Sequence, residues 1–233
     1  AQRARAHRHE LDRDPAGELI VRAELLAQPS GPAARDALQA AGFKPLREEP
    51  LEGLDDALLV MAPPPGLDLA DALARARAID PAGAYDFHHV YLGSGGVGAP
   101  GAAASDPPPA SRASGVPLQV GLIDSGVDAA HPSLRQADVR RHGCADGPHP
   151  APHGTAVASL MVGAGEHFTS ALPRAVLYAG DAYCDAPTGG SVEAIARELA
   201  WLARLRVAVV NISLVGPPNQ VLQRIVEHAI AQG

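Results

Sequence analysis

The spacing of apolar positions changes character along the chain and divides it in two. Between Glu18 and Tyr91 short alternating runs are interleaved with helical periods. E-L-I-V-R-A-E-L-L-A reads as a strand, and P-A-A-R-D-A-L-Q-A-A-G-F as a helix with Ser30 as N-cap, Pro32 in its first turn and Gly42 at its end. P-L-R-E-E-P-L and A-L-L-V-M-A read as two short strands around the turn-like E-G-L-D-D. D-L-A-D-A-L-A-R-A-R-A places Leu69, Leu73 and Ala76 on one helical face, and A-Y-D-F-H-H-V-Y closes the series as a strand. The order βαββαβ predicts a ferredoxin-like α+β sandwich over residues 18–91, a fold that by itself specifies no function.

Past Pro117 the runs become continuous, as in strands buried on both faces. L-Q-V-G-L-I-D, A-V-L-Y-A-G-D-A-Y and V-A-V-V-N-I-S-L alternate with three helical patterns. These are His153 to Gly163, a helix capped by Ser191 with Val192, Ile195, Leu199 and Leu202 on its apolar face, and one capped by Asn219 and ended by Gly233. Strand alternating with helix predicts a doubly wound parallel sheet over 117–233, with chemistry at the carboxyl ends of its strands. Asp124 and Ser213 fall at such ends.

Between these parts, residues 92–116 read as a Gly/Pro-rich linker open to proteolysis. It contains G-S-G-G-V-G, but the Ala-Pro-Gly and Asp-Pro-Pro-Pro that follow cannot open the helix whose amides would hold a pyrophosphate, so the dinucleotide reading fails. Residues 1–17 are charged and aperiodic and read as a flexible tail.

Composition narrows the function classes. Aromatic residues are only 3% of a chain that is 46% hydrophobic, so the core is aliphatic. A net charge of −7 lacks the basic footprint of a nucleic-acid binder. No apolar run reaches the roughly 18 residues of a membrane span. The first residue is Ala1 rather than Met, so either a leading segment has been removed or the chain was trimmed, and a cleaved export signal would account for the former.

Candidate chemistry concentrates between Val120 and Gly163. An apolar strand delivers Asp124 into a Ser-Gly turn, and His153 opens an apolar helix. A buried carboxylate and an imidazole are two parts of a nucleophilic triad. Cys144 and Cys184 are ordinary buried thiols in a reducing compartment and a disulfide in an exported protein, which is the reading favoured here. A competing reading takes His142, Cys144, His149 and His153 as metal ligands, at spacings that match no zinc pattern. His131 reads as structural.

I-D-S-G-V-D with H-P-S-L, then H-G-T-A-V-A-S, then V-V-N-I-S-L, resemble the subtilisin-like serine proteases in the order Asp, His, Ser. The resemblance covers residues 117–233 by motif and extends backward by topology, because these enzymes carry a ferredoxin-like N-terminal propeptide. It implies a serine endopeptidase acting on polypeptides, with Asp124 orienting the imidazole and His153 as general base. It implies that Ser213, Leu214, Val215 and Gly216 form a substrate-binding strand. Val215 stands where the family usually has glycine, and a branched side chain there narrows the subsite.

The oxyanion-hole Asn and the G-T-S nucleophile of the family come later than Gly233, so residues 1–233 alone are expected to be inactive. A non-catalytic inhibitor or binding module is the alternative. The resemblance also implies that residues 18–91 act as an intramolecular propeptide, with a processing junction at Tyr91. His88 and His89 either tune its release on protonation or simply alternate across an edge strand. Calcium is often bound in the family, but Ser133 replaces the expected acidic ligand; no cofactor or metal is expected. Bacterial secretion or a periplasmic location completes the expectation.

Overall fold

A computed structural model describes residues 7, 9–93, 117–165, 168–184, 186 and 189–232. In chain order its strands are β1 (Leu11–Arg13), β2 (Leu19–Gln28), β3 (Lys44–Leu51), β4 (Asp56–Ala62), β5 (Ala84–Gly93), β6 (Gln119–Asp124), β7 (Asp138–His142), β8 (Ala164–Gly165), β9 (Phe168–Thr169), β10 (Val176–Asp181), β11 (Gly190–Ser191), β12 (Val210–Ile212) and β13 (Leu214–Val215). The helices are α1 (Pro32–Ala40), α2 (Leu69–Ile79), α3 (Pro152–Val162), α4 (Val192–Arg204) and α5 (Gln220–Gln232). The expected linker begins inside β5, which runs to Gly93, and the rest of it with the remainder of the glycine motif lies outside the described residues. None of the described helices is long and apolar enough to cross a membrane.

The chain divides into two compact units that do not follow chain order. One contains residues 1–92, 186–206 and 216–233; the other contains 93–185 and 207–215.

In the first unit β5, β2, β4 and β3 form an antiparallel sheet in that order. On one face α1 and α2 bury Leu38, Leu73 and Ala76 against Ile20, Leu25, Met61 and Phe87. Asp68 caps α2 by accepting from the Asp71 amide. Ser30 does not cap α1: its amide and hydroxyl both go to Asp80, at 2.8 and 2.6 Å, and Gly31 takes the N-cap position. The deeper carboxylate outcompetes the local helix end.

A short 3₁₀ turn, Glu52–Leu54, meets α4 so closely that a Cβ on Gly53 would lie 2.0 Å from the Ala200 carbonyl oxygen. The expected mobile tail is corrected over Leu11–Arg13, which pairs antiparallel with Leu19–Val21. Leu11 is buried there, and that burial is what orders a segment whose other residues are charged.

Between the sheet and α4 lies a network of charges. Arg47 makes paired hydrogen bonds to Glu24, both at 2.8 Å, and also donates to Glu193 at 2.6 Å. The buried His88 sits with Nδ1 2.7 Å from Glu24. On the other side His89 lies 3.2 Å from Asp14 through Nε2. Its Nδ1 is 2.9 Å from the side-chain nitrogen of Asn219, whose oxygen caps α5 through the Leu222 amide.

Burial pushes the Glu24 carboxyl up, but the bonds from His88 and Arg47 outweigh it and hold it at about 2. A depressed carboxylate contributes its stability above the unfolded value near 4.5 and loses it as pH falls through about 2. The contribution is about 3 kcal/mol. Denaturation of Glu24→Gln should therefore show about that loss at neutral pH and a flatter decline on acidification.

The second unit holds a parallel sheet in the order β12, β6, β10, β7. Val120, Leu122, Leu177 and Ala179 form its core with Ala158 and Val162 of α3. β7 was not expected from sequence, because D-V-R-R-H is an edge strand whose Asp138 and Arg140 face water and leave no apolar run. The expected apolar strand V-A-V-V-N-I-S-L is broken into β12, Val210–Ile212, and the start of β13 at Leu214, and Val209 and Ile212 are exposed along it.

Candidate active site

Strand β6 ends with Asp124 at the carboxyl edge of the parallel sheet, fully buried. Its Oδ1 accepts three bonds: the Ser125 amide at 2.6 Å, the Ser125 hydroxyl at 3.1 Å and Nδ1 of His153 at 2.7 Å. Receiving a proton from Nδ1 makes the neutral imidazole the Nδ1–H tautomer and leaves Nε2 as its basic nitrogen. His153 stands in the first turn of α3, and its side chain is 27% exposed, against 1% for Asp124.

The glycines of both motifs have local causes. A Cβ on Gly154 would lie 2.0 Å from the Ser125 carbonyl oxygen, and one on Gly126 would lie 2.1 Å from that of His149. The strand end and the helix start therefore touch backbone to backbone, and the Ala151 amide donates to the Gly126 carbonyl at 2.8 Å. Ser125 completes the joint. Its hydroxyl donates to Asp124 and accepts from the Gly154 amide at 3.0 Å, satisfying one of the open amides at the start of α3. In the sequence Ser125 stands out only as part of the Ser-Gly turn after Asp124, and its place directly after the carboxylate is the one signal of this role.

Asp181 was also missed. It ends β10 in register with Asp124 and accepts from the amides of Tyr183 and Cys184, both at 2.9 Å. Burial raises its carboxyl above the ordinary range against those two bonds, and the neighbouring Asp124 charge acts in the same direction. Cys144 and Cys184 are joined by a disulfide beside it. Among the described residues, the metal-ligand types that converge are Cys144, Asp181 and Cys184, not the set His142, Cys144, His149 and His153. The two sulfurs are bonded to each other, so neither is a thiolate ligand. Ser133, at the position where calcium would need an acid, instead bonds His131 Nδ1 and the Ser159 hydroxyl, each at 2.7 Å.

The proposed substrate strand is placed in pieces. The Ser213 amide donates to the Ile123 carbonyl at 3.3 Å, and its hydroxyl accepts from Asn211 at 2.6 Å. Leu214–Val215 is extended, with Val215 exposed, and Gly216 lies against the Tyr91 ring.

A family model described as the subtilase family matches residues 116–232. The chain belongs to the subtilase family. The solved structure of fervidolysin from Fervidobacterium pennivorans, a keratinolytic enzyme related to subtilisin, is similar to 92% of this subtilase chain with a TM-score of 0.63 and 15% identity. The epidermin leader peptide processing serine protease of Staphylococcus aureus is similar over 90% with a TM-score of 0.51 and 12% identity. At these identities the likeness is one of fold. The subtilase chain spans 39% and 58% of the lengths of those two proteins. No curated protein matches it by sequence.

Proposed function

We propose that this chain is the N-terminal part of a subtilisin-type serine endopeptidase made as a zymogen, with Asp124 and His153 as two members of its triad. The observation that carries the reading is the 2.7 Å bond from a partly exposed imidazole to a buried carboxylate at the end of a parallel strand. In the proposed reaction His153 Nε2 takes the proton of a serine hydroxyl as that oxygen attacks the peptide carbonyl, and returns it to the leaving amine. Asp124 holds the tautomer and stabilises the imidazolium without itself being protonated. The reaction requires a serine nucleophile and an oxyanion donor in addition to Asp124 and His153. Ser213 to Gly216 pair with the substrate backbone.

Residues 18–91 are proposed as a ferredoxin-like propeptide that assists folding and then inhibits, with Tyr91 near the processing junction. The strand order β5-β2-β4-β3 with two helices on one face supports that form. Export from a bacterial cell is supported by the disulfide, which persists in oxidising compartments.

Peptide turnover tests the proposal. The polypeptide extended past residue 233 should hydrolyse casein and be silenced by a serine-directed phosphonate, while residues 1–233 alone should show no turnover. Phosphonate-sensitive turnover by residues 1–233 would contradict it, as would an extended protein that folds and cleaves nothing.

A further inference from the structure

We propose that the seat now filled by Tyr91 is a substrate subsite that selects a tyrosine side chain. The inference rests on the endopeptidase reading, since it requires an extended polypeptide to take the place of the end of β5. The backbone part of the seat is a strand edge. Val90 and Tyr91 pair antiparallel with Ser191 and Gly190 of β11, the kind of main-chain pairing that accepts any extended segment. Selectivity then has to come from the pocket beneath the side chain.

That pocket is built from missing side chains. A Cβ on Gly216 would lie 2.3 Å from the Tyr91 ring, so only glycine leaves room for it. Gly189, with φ of +110°, brings its α-carbon so close that a Cβ would lie 2.8 Å from the Tyr91 carbonyl oxygen. The residue is buried, and at the end of the ring its hydroxyl donates to the Pro217 carbonyl at 2.7 Å. Burial, and then the Asp86 charge, push the phenol up to about 12, so it remains a neutral donor throughout the physiological range.

A phenylalanine would fill the ring volume and leave the Pro217 carbonyl unpaired, and a leucine or valine would leave a void over Gly216. Sites that hydrogen-bond a substrate hydroxyl reject analogues lacking it far more strongly than apolar pockets reject a missing methylene. Neighbouring Leu92 is 37% exposed and has no such seat, so selection falls on one position.

Two measurements test this. In the 233-residue chain, Tyr91→Ala vacates the seat, and p-cresol should then raise the variant's thermal midpoint. It should leave the native chain unchanged, with toluene binding at least tenfold more weakly. Equal binding of p-cresol and toluene, or none of either, overturns the selectivity. In the mature protein carrying the nucleophile, a peptide library should show tyrosine favoured over phenylalanine at least tenfold in kcat/KM at one fixed position on the acyl side. Gly216→Ala should lower the ratio of kcat/KM for tyrosine over alanine at that position at least tenfold. Cleavage without a tyrosine position, or a ratio unmoved by Gly216→Ala, overturns the subsite alone. A folded mature protein that cleaves nothing overturns the endopeptidase reading, and the subsite role with it.

Discussion

Replacing His153 by alanine in the polypeptide that carries the serine should lower kcat about 10⁶-fold, and Asp124→Asn should lower it by about 10⁴-fold. The two losses differ because the two groups do different work. Without His153 no base stands where the serine proton must go, and no acid where the leaving amine must be protonated. Asparagine at 124 keeps the size of the carboxylate and puts either its oxygen or its nitrogen at the one position that meets the Ser125 amide, the Ser125 hydroxyl and His153 Nδ1. If its nitrogen faces His153, however, it donates where the carboxylate accepted, and Nδ1 must become the acceptor. That places the proton on Nε2, the wrong nitrogen for a base. Because Asp124 is buried and helps hold Ser125 against α3, folding of both variants has to be checked by circular dichroism before rates are compared. A variant that folds and retains turnover within tenfold would show that the pair is structural.

Removing the disulfide should cost about 4 kcal/mol of stability, the loop-entropy scale for a sequence separation of 40. The closed loop holds α3 with His153, and it ends beside Asp181, which is in register with Asp124. Loosening it frees the carboxyl edge of the sheet where the pair is assembled. Denaturant unfolding of the double variant Cys144→Ser, Cys184→Ser, compared with the oxidised protein, measures the effect. A loss below about 1 kcal/mol would mean that the surrounding packing already fixes both ends.

Much of the fold could be read in advance because period-two and helical patterns are properties of neighbouring positions. Strands β2 to β5, helices α1 and α2, and the caps at Ser191 and Asn219 needed only local sequence. What escaped depended on distant partners. Leu11 looks like a lone apolar residue in a charged tail until β2 pairs with it. Ser30 has the right chemistry for a cap, but Asp80, remote in sequence, claims it. Nothing near Arg47 announces that Glu24 and Glu193 will close around it.

At the site, Asp124 and His153 were legible because each stands in a motif whose glycine is demanded by close backbone approach. Asp181 ends an apolar strand as Asp124 does, but only the parallel register reveals that the two are neighbours. Tyr91 is the last residue of the strand expected from sequence, which runs on to Gly93, whereas its seat is built from Gly189, Gly216 and Pro217, which are remote from it in sequence.

The central claim is that Asp124 and His153 serve a serine nucleophile, and its most direct test is covalent. The extended polypeptide should be incubated with a fluorophosphonate, digested and mapped by mass spectrometry. The account predicts one labelled serine, located beyond residue 233, with labelling lost when His153 is replaced by alanine in a folded protein. Equal labelling with and without His153, or a folded protein that takes up no label, would contradict it.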